Sequence, residues 1–434
     1  MKVVTLFEYS TPEEKDAKEI LKKIENELKR VNRKAKIFER TWDDVKATSY
    51  VGVLSIKDVT IQILPKLYKG DEGARDKKED KEKRIEEATR NLLFMLSYTR
   101  RLKIKETGIS RLKREKYNLY EVIVYLFAKN LMETLKRNYR REYERREERL
   151  KYVKGRILLN RQIRQPTHEK IYCSYHELTE DNLLNRVLKY TCYLLSKRVK
   201  NHENWLLLQN ILNILDGVEL SAVQLSDIDR IKINRLNEDY TPFLGLCKLF
   251  LENMSLELQS SQFRTFSLVF DMNVLFEEFI GELLRRYRSE ILRGNLKDCI
   301  VNLQRGDRWL MEKPKAFKLV PDIMIKKGNK VELIIDTKYK ILDPKKKYYG
   351  ISQADIYQMF AYGKKYGCNR IVLLYPWTPE LGKKGVLETY SFEKEFNLHV
   401  ATINLRRNLR DGKEMENLRE ELSKIISACS MEYS

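Results

Sequence analysis

The chain has 434 residues, of which 84 are Lys or Arg and 63 are Asp or Glu, so its formal net charge is +21. Its length predicts two or three domains with sizeable cores, and the basic excess favours a polyanionic partner. No apolar run reaches the ~20 residues of a membrane span, and the N-terminus turns acidic too early for a signal peptide. The six cysteines are scattered without a CxxC pair, which is typical of reduced core thiols, so we expect a cytoplasmic protein with no membrane role.

Residues 1–69 predict a small N-terminal α+β module. A strand is expected at residues 3–9, and Thr11-Pro12-Glu13-Glu14 forms a capping box at the start of a helix. The buried face of this helix carries apolar residues at helical spacing: Ala17, Ile20, Leu21, Ile24, Leu28 and Val31. Further strands are predicted at residues 37–38, 50–56 and 59–64, and Pro65 stops the pairing of the last one.

Residues 70–262 predict a mostly helical region. Opposite charges recur at i,i+3 and i,i+4, which favours one long exposed helix over residues 119–151. Tyr139, Tyr143 and Tyr152 interleave there with arginines, a pattern that suits either a grip on a phosphate backbone or a solvated helix with its own salt bridges. We then expect a short strand at residues 157–163 and helices at residues 183–194, 205–215 and 240–256.

Residues 263–434 predict a mixed β-sheet flanked by helices, so the fold class expected for the chain is mixed α+β. A helix is predicted at residues 274–288, with Glu277 and Glu278 at its start, where the helix dipole favours acidic residues. Two strands at residues 317–325 and 331–335 form a hairpin through the turn Lys327-Gly328-Asn329. A helix at residues 352–362 and strands at residues 370–375 and 398–405 complete the order.

The hairpin carries the candidate chemistry. Asp336 and Lys338 are two residues apart on a strand and therefore face the same side, and Asp322 on the preceding strand can come beside Asp336. Two carboxylates suit a hard cation such as Mg²⁺, and a metal with a nearby ammonium suits phosphodiester hydrolysis. A lone D-x-K is weak, because it recurs at Asp76-Lys78 and Asp343-Lys345. The apolar strand before Asp336 strengthens the signal, and the alternative is a salt-bridged hairpin end.

Residues of two predicted helices are further candidates for the same site. Glu277 or Glu278 can project toward the metal, although a favourable charge at a helix start explains them equally well. Gln358 and Tyr362 are four residues apart and share a helix face, so they suit either a hold on phosphate or ordinary packing.

These residues resemble the PD-(D/E)xK nuclease superfamily over residues 265–376. The whole chain is more narrowly similar to McrC, the nuclease subunit of McrBC-type 5-methylcytosine-dependent restriction systems. The segments that carry this resemblance are VGVLSIKDVTIQILPKL, NLLFMLSY, TEDNLLNRVLKYT, NVLFEEF and LVPDIMI followed by IIDTKYK.

The resemblance implies roles for the candidate residues. Asp322 and Asp336 would ligate Mg²⁺, with the Thr337 carbonyl assisting. Lys338 would orient the attacking water or stabilise developing charge. Glu277 would be an auxiliary ligand or would orient a water, and the helix residues Gln358 and Tyr362 would position DNA.

The resemblance also implies partners, namely an AAA+ GTPase hexamer similar to McrB and double-stranded DNA with modified cytosine. The sequence contains no GxxxxGK[ST] phosphate loop, so GTP is expected on the partner only. Residues 1–260 would contact and stimulate the motor, and basic stretches at 100–116 and 136–156 are candidate contacts with motor or DNA. Two alternatives stay open: a catalytically silent adaptor that plugs and activates a GTPase ring, and a stand-alone repair nuclease or junction resolvase.

Overall fold

The computed structural model of the chain describes residues 2–12, 15–24, 36–42, 44–56, 59–69, 78–99, 119–163, 169–258, 265–393 and 396–430. It divides into two compact units. Residues 1–103 and 267–434 form unit 1, and residues 104–266, which lie between them in the sequence, form unit 2. The domain boundaries predicted at residues 69 and 262 divide the chain into three consecutive regions. The first of these regions and nearly all of the third fall within unit 1.

The first segment of unit 1 has α+β composition and extends past the predicted boundary at residue 69. Its elements are β1 (Lys2–Phe7), α1 (Lys15–Lys23), β2 (Phe38–Arg40), β3 (Val45–Ala47), β4 (Tyr50–Ile56), β5 (Val59–Leu64) and α2 (Lys78–Tyr98). β5 is central, because β1 pairs with it in parallel and β4 pairs with it antiparallel. Parts of three predictions lie outside the described residues: Glu13 and Glu14 of the capping box, Leu28 and Val31 of the helix face, and Asp76 of the recurring D-x-K.

Unit 2 is mostly helical and also contains a small sheet. Its elements are α3 (Leu119–Arg137), β6 (Glu142–Leu150), β7 (Arg156–Ile157), α4 (Leu159–Gln162), β8 (Ile171–Thr179), α5 (Leu183–Ser196), α6 (His202–Ile214), α7 (Leu225–Arg230) and α8 (Thr241–Leu258). The ring of Phe127 on α3 packs edge-on against Phe250 and Phe243 of α8, with centroids 5.5 and 6.2 Å away. The predicted helices at 183–194, 205–215 and 240–256 are confirmed.

The predicted long helix over residues 119–151 is wrong in its second half. The helix ends at Arg137, and residues 142–150 form β6, which pairs antiparallel with β8. The charges that suggested helical pairs are satisfied across the strands instead, since Arg146 lies 2.9 Å from Glu177 and the Tyr175 hydroxyl donates to Glu148. The predicted strand at 157–163 is also mostly wrong, because β7 ends at Ile157 and α4 follows. The basic stretch 136–156 therefore contains β6 and the first residue of β7, and the stretch 100–116 lies outside the described residues.

The second segment of unit 1 completes the sheet of the first and adds a larger one. Its elements are β9 (Thr265–Asp271), α9 (Met272–Arg286), α10 (Arg288–Ile291), β10 (Ile300–Leu303), β11 (Arg308–Glu312), β12 (Lys315–Leu319), β13 (Ile323–Lys327), β14 (Lys330–Thr337), α11 (Gln353–Tyr366), β15 (Arg370–Pro376), β16 (Gly385–Glu393), β17 (Phe396–Ile403) and α12 (Gly412–Ser430). Short 3-10 turns occur at Lys66–Tyr68, Glu238–Tyr240, Gly294–Leu296, Lys347–Gly350 and Pro379–Leu381.

The larger sheet is mixed, as the sequence predicts. Its strand order is β10-β13-β14-β15-β17-β16, and β15 runs parallel to both β14 and β17 while the other pairs are antiparallel. The strands β14, β15 and β17 are almost wholly buried, which fits parallel strands covered on both faces. The mixed α+β fold class is confirmed.

The predicted strand over residues 317–325 is two strands. β12 ends at Leu319 and pairs with β11, whereas β13 begins at Ile323 and joins the larger sheet. Pro321 lies in the break, since it has no backbone N–H and restricts the residue before it. The turn of the predicted hairpin is confirmed, because Lys327 pairs with Lys330 and Gly328 has a φ of 59°.

Gly52 lies where a strand from the first segment of unit 1 pairs with a strand from the second. The first sheet has the order β1-β5-β4-β9, so β9 of the second segment lies beside β4 of the first. Gly52 has a φ of +134°, and a Cβ atom built there would lie 2.1 Å from the carbonyl oxygen of Leu268. Only glycine therefore allows the two backbones to approach this closely.

Replacing Gly52 with alanine should lower the free energy of unfolding of unit 1 by at least about 2 kcal/mol, because the methyl group forces β4 and β9 apart. The thermal unfolding midpoint measures this effect. Gly412→Ala is the matched control in the same unit, since a Cβ there meets nothing within 4 Å. Equal midpoints for the two variants would contradict the close approach.

All six cysteines are buried and unpaired, in agreement with the predicted core thiols. None of the helices in the described part of the chain is long and apolar enough to cross a membrane.

Candidate functional site

Asp322 and Asp336 lie on neighbouring strands at one end of the larger sheet. Asp322 directly precedes β13, Asp336 is near the end of β14, and the register pairs Ile323 with Ile335. Thr337 fixes Asp322, because its backbone N–H and its hydroxyl both donate to Oδ2 of that carboxylate, at 2.8 and 2.9 Å. Thr337 thus holds the Asp322 carboxylate in place through two hydrogen bonds.

Lys338 lies against Asp336. Its Nζ is 2.6 Å from Oδ2 of Asp336, which is 1% exposed. The contact is a close ion pair, so Lys338 is the charged partner of this buried oxygen. A buried carboxylate is costly unless a positive charge lies next to it. Asp336 thus supplies a buried carboxylate oxygen of the kind that suits a cation.

Glu277 is brought to the same place by α9. The side chain of Gln304 donates to its Oε1 at 2.8 Å, and the backbone N–H of Gln304 donates to the carbonyl oxygen of Asp322 at 2.9 Å. The predicted position of Glu277 at the helix start is wrong: it lies in the second turn, and Asp271 caps the helix by accepting from Asn273. Its placement follows from Gln304 and Asp322 and not from the helix dipole.

Gln304 cannot be recognised as a site residue from the sequence. It is a single polar residue after a short strand, and no motif or spacing distinguishes it. Its φ of 47° is in the left-handed region that non-glycine residues rarely adopt. Such a conformation persists when surrounding contacts require it, and here the contacts are those to Glu277 and Asp322.

Crowding of the carboxyl groups shifts their protonation. Burial, followed by the charge of Asp322, raises the pKa of both Glu277 and Asp336 to about 7. Burial also raises the pKa of Asp322, against the hydrogen bonds from Thr337. Burial is the largest single influence on Lys338 and opposes its charge, but Asp336, Asp322 and Asp355 together outweigh it and raise the pKa of the ammonium. The three carboxyl groups thus resist full ionisation until another cation joins them.

This crowding predicts that the metal-free protein loses stability as pH rises. The raised pKa values mean that the folded state binds more protons than the unfolded state, so the stabilisation is complete below pH ~4 and is lost through pH ~7. We expect the unfolding midpoint in EDTA to fall between about pH 5 and pH 8, and Mg²⁺ to raise it more at pH 8. Asp336→Asn should show a smaller fall. A midpoint that rises over this range in EDTA would contradict the arrangement.

Gln358 and Tyr362 on α11 occupy different environments. Gln358 is exposed and accepts a hydrogen bond from Lys338 Nζ at 3.1 Å. Its amide donates to the Tyr362 hydroxyl at 3.0 Å, which in turn donates to the carbonyl oxygen of Val320 at 3.1 Å. Tyr362 is 4% exposed and belongs to the core of the larger sheet. Gln358 is therefore placed to meet a ligand, whereas Tyr362 holds the chain just before Asp322.

The residues present fit Mg²⁺ better than a metal that needs a full protein cage. Within the described ranges, no three His, Cys, Asp or Glu side chains are placed to hold a metal ion together. Mg²⁺ is commonly bound through one or two carboxylates, with water and substrate phosphate completing its octahedron. Asp336 with its buried Oδ2 and the neighbouring Asp322 supply such a pair.

Lys66 supports the site from the first segment of unit 1. It follows β5, and its Nζ donates to the carbonyl oxygen of Tyr339 at 2.7 Å and lies 4.5 Å from the centre of the Tyr339 ring. That ring packs on Phe276, with centroids 5.7 Å apart. Burial raises the pKa of the adjacent Glu8, which accepts from the Lys66 backbone, to about 8. Tyr339, the residue after Lys338, is thus fixed by Lys66, a partly buried residue that no sequence motif assigns to the site.

Comparisons with known proteins agree with this fold. A family model described as McrBC 5-methylcytosine restriction system component matches residues 45–376. The type IV methyl-directed restriction enzyme EcoKMcrBC of Escherichia coli strain K12 is 24% identical over 260 residues, which cover 58% of this chain and 72% of that protein.

Two solved structures are also similar. A chain of the refined half-complex from the tetradecameric assembly of Thermococcus gammatolerans McrB AAA+ hexamers with bound McrC has a TM-score of 0.73 at 24% identity, covering 98% of this chain and 100% of that one. A chain of the cryo-EM structure of the T. gammatolerans McrBC complex has a TM-score of 0.51 at 27% identity, covering 67% and 89%.

The family match over residues 45–376 defines the protein as a restriction-system component. The chain belongs to the McrBC family of 5-methylcytosine restriction system components, whose model matches well over half of its length. The resemblance to McrC inferred from the sequence is confirmed.

Proposed function

We propose that the chain is the Mg²⁺-dependent DNA endonuclease subunit of a 5-methylcytosine-dependent restriction complex. The observation that carries the proposal is the buried Asp336 carboxylate, which has the Lys338 ammonium 2.6 Å from its Oδ2 and Asp322 next to it. A purely structural salt bridge does not need two further carboxyl groups with raised pKa values around it. Membership of a restriction-system family agrees with a hydrolytic role for these groups.

The side chains have separable tasks in this proposal. Asp322 and Asp336 would hold Mg²⁺, which when bound supplies charge neutralisation for a phosphodiester. Lys338 would stabilise negative charge that develops on the phosphate or orient the attacking water, since its Nζ is fixed between Asp336 and Gln358. Glu277 would order a water with the help of Gln304. Gln358 is the exposed group beside Lys338 and is placed to meet the DNA strand.

The proposed partner is an AAA+ GTPase hexamer similar to McrB. In the similar T. gammatolerans assembly, McrC is bound to McrB AAA+ hexamers, and the present chain contains no phosphate loop of its own. The second proposed partner is double-stranded DNA with modified cytosine, which suits the net charge of +21. Recognition of the methyl group would belong to the partner.

The test is a cleavage assay with the cognate GTPase ring, GTP and methylated duplex DNA. We expect the chain to co-elute with the ring, to raise its GTPase rate and to cleave methylated DNA only when Mg²⁺ is present. Co-elution with GTPase stimulation but no cleavage under any divalent metal would favour the silent adaptor. Cleavage without ring or GTP would favour a stand-alone repair nuclease.

A further inference from the structure

The β11–β12 hairpin, residues 304–320, forms a two-stranded ribbon that belongs to neither large sheet. We call it the 304–320 ribbon. Two-stranded hairpins are marginally stable alone, and this one is held at its base by hydrogen bonds. The Tyr366 hydroxyl donates to the carbonyl oxygen of Leu319 at 2.9 Å and accepts from the backbone N–H of Asp307 at 3.2 Å.

Both ends of the ribbon are attached to the candidate site. At one end Gln304 bonds Glu277 and the backbone of Asp322. At the other end Val320 accepts from Tyr362, whose hydroxyl also bonds Gln358. The ribbon therefore starts and ends on residues that border the carboxylate–lysine cluster.

The exposed side chains of the ribbon are basic and apolar. Its basic residues, all exposed, are Arg305, Arg308, Lys313, Lys315 and Lys318. Its acidic residues are Asp307 and Glu312, and the second is paired with Lys365 of α11 at 3.2 Å. Exposed apolar side chains accompany them, with Met311 at 52% and Phe317 at 72%. An excess of cations suits the phosphates of a nucleic acid, and the exposed apolar side chains beside them suit its bases and sugars.

The backbone at Phe317 supports a role outside folding. Its φ of 55° is in the left-handed region, which costs about 1 kcal/mol or more for a bulky residue. Core packing does not explain this conformation, because the ring is mostly in solvent. A strained residue that displays its aromatic side chain is typical of a ligand contact.

We propose that the 304–320 ribbon is a duplex-DNA-binding element that seats the substrate on the candidate nuclease site. A two-stranded ribbon fits the major groove of B-DNA, which is about 12 Å wide. The lysines and arginines contact phosphates, and Phe317 and Met311 meet the groove floor or sugars. This inference rests on the proposed function, because the ribbon serves the same site.

The first test measures binding of a duplex of about 50 base pairs by the ring-assembled complex, using the inactive Asp336→Asn background and fluorescence anisotropy over a range of salt. Replacing Lys313, Lys315 and Lys318 together by alanine should weaken binding at least about tenfold and reduce the salt slope by up to about 3. The matched control replaces Lys326, Lys327 and Lys330, which lie at the turn between β13 and β14, the end of these strands away from Asp322 and Asp336. This control should leave the affinity and the salt slope nearly unchanged.

The second test keeps the charge and changes the apolar contact. Phe317→Asn preserves a residue that tolerates positive φ, so it should fold normally, weaken binding by roughly tenfold and leave the salt slope unchanged. Equal affinity and slope for wild-type, ribbon and control proteins would overturn the inference while leaving the proposed nuclease intact. Loss of ring association with unchanged DNA affinity would also overturn it, because the ribbon would then be a protein-docking surface. Absence of cleavage by the wild type, with ribbon-dependent binding retained, would count against the nuclease alone.

Discussion

Asp336→Asn is expected to lower the rate of DNA cleavage at least about a thousandfold. The substitution removes the charge of the buried carboxylate that pairs with Lys338 and lies next to Asp322. Charge stabilisation by a catalytic metal is worth several kcal/mol, and each ~1.36 kcal/mol changes a rate tenfold. The variant should bind Mg²⁺ more weakly by isothermal titration calorimetry and still associate with the GTPase ring.

Asp343→Asn is the matched control for this variant. Asp343 belongs to another Asp-x-Lys sequence, Asp343-Pro344-Lys345, and accepts a hydrogen bond from the Lys345 backbone that asparagine can replace. Its cleavage should stay near the wild-type rate. Cleavage by Asp336→Asn within a factor of about ten of wild type would contradict the site and favour a salt-bridged hairpin end.

Lys338→Met is expected to lower cleavage by about a hundredfold to a thousandfold for a different reason. It removes an ammonium placed to stabilise the transition state, and preorganised charges of this kind contribute several kcal/mol. It also removes a cation that competes with Mg²⁺, so metal affinity should be equal to or higher than that of the wild type. The two variants are thus distinguished by calorimetry: Asp336→Asn loses metal and cleavage, whereas Lys338→Met loses cleavage alone.

Lys345→Met is the control, because it removes the lysine of the other Asp-x-Lys sequence. Both methionine variants should be compared by thermal unfolding in EDTA near pH 6, where protonation of Asp336, with its pKa of about 7, limits the cost of removing its partner. Weaker Mg²⁺ binding by Lys338→Met, with cleavage in the wild-type range at saturating metal, would exclude the proposed role of this lysine.

The hairpin that carries Asp322 and Asp336 could be predicted from the sequence because its signals are local. The residues that face each other follow from the apolar strand, the turn at Lys327-Gly328-Asn329 and the two-residue alternation of side chains along a strand. The contacts of Gln304 and Lys66 could not be predicted. These contacts join residues far apart in the chain, and no local sequence pattern identifies the residue that a single Gln or Lys will contact.

The error at β6 has a physical origin. Residues of alternating charge satisfy helical i,i+4 pairs and cross-strand pairs equally well, and the choice is made by β8, a strand that follows β6 only after β7 and α4. The ribbon strand β11 and the first part of β12 were missed for a related reason. Most of their side chains are exposed, so they lack the hydrophobic alternation from which strands are recognised.

The neighbours β4 and β9 are separated in the sequence by the whole of unit 2. During translation at about 5–20 residues per second, β4 leaves the ribosome roughly ten to forty seconds before β9. Until then the nascent chain presents the open edge of an apolar strand, which is a template for aggregation. Yield in heterologous expression should therefore depend on growth temperature and chaperone supply. A fragment that lacks the segment with β4 or the segment with β9 should be insoluble.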